Sequence, residues 1–203
     1  MARQFSSLRR RPPTKKPKAR IVLVCEGKNT EPDYFRALKK SLNKQSLDII
    51  VVPAAGVPMT LAKAALDEGR KLKNSVGTDD DRVCAIFDRD EHPRFNEAID
   101  FCIRHKILVG YTNPCFELWL IWHFENYGTQ NHRHDVQQKF ATLAPDYDPA
   151  IKKSAHFSKL MSGLDNACEW SKHHFDAREA EGARYGAPSS QLHEVIACIK
   201  SFE

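Results

Sequence analysis

No apolar run in this 203-residue chain approaches the length of a membrane span, which needs ~20 residues as a helix. The N-terminus is basic but lacks the apolar core of a secretory leader, so an unexported, cytoplasmic protein without a membrane partner is expected. CxxC spacing is absent too. The six cysteines, at positions 25, 84, 102, 115, 168 and 198, occur singly and several sit inside apolar runs. That pattern argues against a disulfide framework or a zinc ribbon and for reduced core residues. His132, His134, His173 and His174 have no cysteine pair at finger spacing and read as surface residues. Nor is there an internal repeat.

Acids are missing from one stretch. Between Arg3 and Arg20 lie eight cations (Arg3, Arg9, Arg10, Arg11, Lys15, Lys16, Lys18 and Arg20) and no Asp or Glu. The net charge of +5 therefore misdescribes the body, because that segment supplies +8 and the remainder carries −3. With Ser6, Ser7, Pro12, Pro13 and Pro17 interspersed, residues 1–19 read as a disordered basic tail. Two roles fit it: contact with nucleic-acid backbone through Arg9, Arg10, Arg11, Lys15, Lys16 and Lys18, or a solubilising leader. Core material is plentiful. Hydrophobic residues make up 41% of the chain, with 11 Phe and 3 Trp, enough for one domain with an elaboration.

Apolar periodicity places the elements. Ile21 to Cys25 reads as a buried strand. A helix follows from an N-cap at Thr30 to about Asn43, with Tyr34, Phe35, Leu38 and Leu42 on one stripe. Leu47 to Val52 is a second strand, Pro58 to Lys73 a helix, Val83 to Phe87 a third strand, Phe95 to His105 a helix and Ile107 to Tyr111 a fourth strand. This alternation predicts an α/β fold with a mostly parallel four-stranded sheet flanked by helices. Cys115 to Asn126 reads as one strongly apolar helix, in which Trp119 and Trp122 are core residues. Helices at roughly 134–143, 157–175 and 189–202 then form a C-terminal helical elaboration. The organisation expected is a tail over 1–19, an α/β core over 20–127 and the elaboration over 128–203.

The chemistry-bearing residues stand where strands end. The first strand stops at Glu26-Gly27 and the third at Asp88-Arg89-Asp90. Parallel strands deliver their C-terminal ends to one edge of the sheet, where ligands bind. Carboxylates gathered there repel one another unless a cation sits among them, and hard oxygen donors suit Mg²⁺ or Mn²⁺. Gly27 permits either a close approach or a positive φ. Auxiliary candidates surround these positions. Glu31 fits either helix N-terminal stabilisation or catalysis. Glu117, amid apolar neighbours, needs a partner: a metal or Arg89 at the site would serve, and a buried structural pair fits equally. Glu91 and His92 could support a metal from behind, with His92 more simply a surface loop residue, while Lys28 and Arg89 fit phosphate clamps or plain charge balance.

These blocks resemble a known family. Strand–Glu-Gly–helix followed two crossovers later by strand–Asp-x-Asp is similar to the Toprim fold of topoisomerases, bacterial primases, recombination proteins and OLD-family nucleases. Val24-Cys25-Glu26-Gly27-Lys28-Asn29-Thr30-Glu31-Pro32-Asp33-Tyr34-Phe35 resembles the opening motif of the RloB-like family. Phe87 to His92, Thr112 to Leu120, and Pro188-Ser189-Ser190 with Leu192-His193 resemble its later blocks in order. The resemblance implies a Toprim-related nuclease of phage-defence (abortive-infection-like) or restriction-associated loci, encoded beside an AAA- or ABC-like ATPase. It implies Glu26 as general acid/base or metal ligand, and Asp88 and Asp90 as the aspartates binding Mg²⁺ or Mn²⁺. No domain carrying a nucleophilic tyrosine accompanies the pattern, so water is the expected nucleophile on DNA or RNA. Two alternatives stay open: a binding subunit active only with its ATPase, and a DxD phosphohydrolase, although the latter places its DxD at the first strand. Homo-oligomerisation is compatible with all three.

Overall fold

The computed structural model describes residues 19–27, 29–44, 47–51, 57–75, 78–89, 94–148 and 155–201. Lys28, Asp90, Glu91, His92 and the tail cations Arg9, Arg10, Arg11, Lys15, Lys16 and Lys18 lie outside them. The elements are β1 (Ile21–Cys25), α1 (Thr30–Ser41), β2 (Leu47–Val51), α2 (Pro58–Asn74), β3 (Arg82–Asp88), α3 (Phe95–Arg104), β4 (Leu108–Asn113), α4 (Glu117–Ile121), α5 (Arg133–Leu143), a 3₁₀ helix (Phe157–Gly163), α6 (Leu164–Ala180), β5 (Ser189–Ser190) and α7 (Leu192–Ser201). The four parallel strands expected from the sequence are present, in the order β2-β1-β3-β4, and the short β5 adds an antiparallel edge to β4.

Strand order decides which helix covers which face. The chain steps from β1 outward to β2, then returns past β1 to β3 and β4. With right-handed crossovers, such a reversal puts the first helix on one face and the next two on the other. The pleat agrees. Ile21, Leu23 and Cys25 pack with Tyr34, Phe35 and Leu38 of α1 and with residues of α4, α6 and α7. Val22 and Val24 pack instead with Leu61, Ala62 and Ala65 of α2 and Phe95, Ala98 and Ile99 of α3. Period-two alternation thus feeds two cores from one strand, which explains why β1 is apolar throughout. Helices beyond residue 128 share the first of these cores with β1.

The apolar segment after β4 departs from expectation. Instead of one helix from Cys115 to Asn126, α4 spans only Glu117–Ile121. It then tightens into turns, with His123 N–H bonding the Leu120 carbonyl at 3.2 Å and Phe124 N–H the Ile121 carbonyl at 2.8 Å. The His123 carbonyl is packed against Gly163, where a Cβ would stand 2.1 Å from the oxygen. Burial on every side therefore fixes the path of this segment. Trp119 and Trp122 are fully buried, as expected of core residues. His174 is a correction: rather than lying on the surface it is buried, stacked on Trp122 at 5.3 Å and bonded to Asn126 at 2.7 Å.

The Pro188-Ser189-Ser190 motif turns out to be structural. Ser190 Oγ donates to the Tyr111 carbonyl at 2.8 Å and lies 3.2 Å from Thr112 Oγ1, so β5 ties down the end of β4. Ser171 Oγ donates to the Ser190 carbonyl at 2.9 Å. Its one proton being used, Ser171 accepts from His193 Nδ1, also at 2.9 Å.

Candidate active site

Two candidate carboxylates leave neighbouring strands. The β1–β3 pairing runs through Cys25↔Ile86, so Glu26 and Asp88 follow directly at the same edge of the sheet. This is also the position where strand order reverses, since β2 lies on one side of β1 and β3 on the other. In open α/β sheets that reversal opens a crevice between diverging helices, the usual place for a ligand. Both residues are half-buried, and Glu26 Oε2 and Asp88 Oδ1 are shielded from solvent.

Glu31 joins them from α1. The helix starts at Thr30, with Asn29 before it and no side-chain cap, so Thr30 is the first helical residue and not the cap expected from the sequence. Asp33 N–H bonds the Asn29 carbonyl at 2.9 Å to close the first turn. Glu31 is therefore carried back over the β1–α1 turn, where Gly27 N–H donates to its Oε1 at 3.2 Å. A Cβ on Gly27 would meet Glu31 Oε2 at 1.9 Å. Gly27 is thus required by close approach; among the described glycines only Gly182 has a positive φ.

Glu117 arrives from the opposite direction, at the N-terminus of α4, and is only 3% exposed. The sequence suggested a metal or Arg89 as its partner. The structure supplies Tyr147, whose hydroxyl donates to Glu117 Oε1, and Gln137, whose Nε2 donates to the same oxygen at 3.5 Å. Arg89 is held elsewhere: its guanidinium donates to the Tyr185 carbonyl and lies 5.7 Å from the Phe95 ring centroid. Its predicted role as a phosphate clamp gains no support from that placement. Tyr147 and Gln137 carried no signal in the sequence.

Electrostatics binds these groups into one cluster. Glu31 is raised to about 7, first by burial and then by the charges of Glu117 and Glu26, against the opposing bonds from its own N–H and from Gly27. Burial and the nearby charges of Glu117 and Asp88 push both the Cys115 thiol and the Tyr147 phenol upward. Four acids, Glu26, Glu31, Asp88 and Glu117, thus act on one small region of the sheet edge. Among the described residues no group of three His, Cys, Asp or Glu side chains stands at metal-ligating spacing. The expected third carboxylate, Asp90, is outside those residues.

The helices bearing Glu31 and Glu117 are locked together. His123 Nδ1 lies 2.9 Å from the Trp119 carbonyl and must donate to it, so Nε2 accepts from the Tyr34 hydroxyl at 3.1 Å. Burial lowers His123 to about 4, which keeps it neutral near pH 7. Tyr34 stands one turn beyond Glu31 on α1, so this chain of bonds fixes the distance across the site.

The raised Glu31 carboxyl makes stability depend on pH with a defined sign. The native state holds this proton up to about pH 7, whereas an unperturbed glutamate loses it near 4.5. In that window the native state binds more protons, so its stability falls as pH rises. The shift corresponds to about 3 kcal/mol. In EDTA, urea unfolding at pH 5 and pH 8 should show wild type losing about that much relative to Glu31→Gln. Parallel stability profiles for the two proteins would contradict the coupling.

A family model described as RloB-like protein matches residues 21–199. The chain therefore belongs to the RloB-like protein family. No curated protein matches it.

Proposed function

We propose that the chain is a Mg²⁺- or Mn²⁺-dependent nuclease of Toprim type that hydrolyses phosphodiester bonds of DNA or RNA. The observation carrying this reading is the emergence of Glu26 and Asp88 side by side at the sheet's reversal point, with Glu31 and Glu117 acting on the same region. The donor set fits a hard divalent ion, being all oxygen, and a cation would relieve both the burial of Glu31 and the charges of Glu117 and Glu26 that raise it. Glu26 and Asp88 would hold it, with Asp90 completing the set. When bound, such an ion neutralises charge on the phosphate oxygens and acidifies water.

The chain's own residues supply the rest. Glu31, titrating near neutrality, can give or take a proton at its carboxyl within the crevice. Gly27 N–H fixes Glu31, and Tyr147 with Gln137 fixes Glu117, so neither acid needs to reorient during the reaction. The family resemblance supports a setting in cytoplasmic phage defence, with an AAA- or ABC-like ATPase encoded nearby as partner.

The test is cleavage of labelled single- and double-stranded DNA and RNA by the purified chain, alone and with the neighbouring ATPase. Cleavage is expected with Mg²⁺ or Mn²⁺ and none in EDTA. Cleavage that persists in EDTA, or turnover only of small phosphomonoesters, contradicts the proposal; the latter result would favour the DxD phosphohydrolase.

A further inference from the structure

Basic residues in the folded body are not evenly spread. Helix α1 carries Arg36, Lys39 and Lys40, and Lys44 follows just past its C-cap Leu42. With Asn43, these four cations line one open groove of about 420 Å³. Arg36 and Lys40 also border an adjoining groove of about 680 Å³, formed between α1 and the start of the 3₁₀ helix. Macrodipole stabilisation accounts for Lys39 and Lys40 in the last turn. Arg36, a turn earlier, is anchored by Asp33 at 2.6 Å, and Lys44, beyond the helix, donates to the Lys200 carbonyl at 3.1 Å, so both are held locally at the groove. Helix α2 carries as many cations, Lys63, Arg70, Lys71 and Lys73, but there Arg70 and Lys71 are paired with Asp67 and Glu68.

This ridge begins at the carboxylate site. Glu31 occupies the first turn of the same helix, and Arg36 lies within electrostatic reach of Cys25, the residue before Glu26. At about 1.5 Å per residue, Lys40 stands about 14 Å along the axis from Glu31. For a duplex whose axis runs parallel to α1, that length covers about four phosphates of one strand, at an axial rise of about 3.4 Å each. We infer that the α1 ridge of Arg36, Lys39, Lys40 and Lys44 is a phosphate-backbone track that guides a nucleic-acid strand into the Glu26/Asp88 crevice. The inference rests on the nuclease reading for what lies at the end of the track. It assigns the folded body a share of the binding that the sequence placed in the tail. Of the aromatic rings bordering the larger groove, Phe157 is buried and the exposed His156 is held by Asp146, so the cations carry the contact and it is with backbone.

The test measures binding apart from cleavage. Full-length Asp88→Asn protein is titrated in EDTA into fluorescein-labelled 20-mers of single- and double-stranded RNA and DNA, across a salt series. Arg36→Glu/Lys40→Glu is added to that background. As a control of equal net charge, Lys63→Glu/Arg104→Glu changes exposed residues on α2 and α3, the opposite face. The α1 pair should weaken binding about 10-fold or more and lower the salt slope by about 1.4 to 1.8, the loss of two phosphate contacts. The control pair should leave most of the affinity in place.

Equal losses for the two pairs would overturn the inference, as would unchanged affinity in the α1 variant or no binding by the parent protein. Poly-glutamate that binds as tightly and is lost with the same α1 pair would also overturn it, marking the ridge as a surface for an acidic protein. Cleavage by otherwise wild-type chains is scored separately. An α1-dependent binder that never cleaves upholds the track while refuting the nuclease; a nuclease whose binding ignores α1 does the reverse.

Discussion

Asp88→Asn and Glu26→Gln should each lower cleavage by at least about 10²- to 10³-fold, the scale of removing one preorganised charged group from a reaction centre. The same substitutions should leave stability in EDTA unchanged or higher. Each removes one negative charge from the sheet edge, where burial first and then the charges of Glu117 and Glu26 raise Glu31 to about 7, and where Asp88 acts on Cys115 and Tyr147. Activity and stability thus move in opposite directions, the signature of a strained functional site. A structural ion pair would behave otherwise, losing stability once one member is neutralised. Urea unfolding in EDTA beside steady-state cleavage in Mg²⁺ separates the two cases. A variant that is both less stable and fully active would show that these acids only hold the fold.

Gly27→Ala should be nearly as damaging, for a reason that can be isolated. The new Cβ would fall 1.9 Å from Glu31 Oε2 and 2.5 Å from Glu31 Cδ. Glu31 is only 6% exposed, so its carboxylate has no open solvent to swing into. The expected cost is about 1–3 kcal/mol of stability, with activity falling to the level of a protein lacking a positioned Glu31. The clash is with one side chain, so Glu31→Ala should absorb it. Gly27→Ala/Glu31→Ala should be no less stable and no less active than Glu31→Ala alone. Additive losses in this double-mutant cycle would mean that Gly27 matters for a reason other than the approach of Glu31.

How much of this was legible beforehand depends on the kind of interaction. Strand ends were readable because Ile21–Cys25 and Val83 to Phe87 are apolar runs, each halted by an acid. That Glu26 and Asp88 emerge from adjacent strands was not readable, since periodicity carries no strand order; the reversal at β1 is a tertiary fact. Glu117 is legible because an acid among Phe116, Leu118 and Trp119 must find a partner. That partner, Tyr147, comes 30 residues later in a polar turn-rich segment with no pattern of its own. β5 escaped notice because two serines have no strand signature; hydroxyl bonds to Tyr111 and Thr112 hold them there. The overlong helix placed at Cys115 to Asn126 had a similar cause. Apolar periodicity continues through His123, whereas contact with Gly163 ends the regular helix.

The tail has the greater density of charge, yet the α1 cations are aligned by the helix whose first turn carries Glu31. Spacing of three and four residues turns an unremarkable lysine count into a directed ridge. The same principle places Tyr34 one turn from Glu31, where it bonds His123 and ties α1 to α4.

The claim that these acids form a cation-binding centre is tested most directly by titrating Mn²⁺ into the full-length protein, followed by calorimetry and by the loss of the free-ion paramagnetic resonance signal. Wild type is expected to bind Mn²⁺ in competition with Mg²⁺, and Glu26→Gln and Asp88→Asn to weaken that binding by about 10-fold or more, the lower bound for disturbing a metal's ligand set. Binding by both variants with wild-type affinity, or no binding by the wild type, would contradict it.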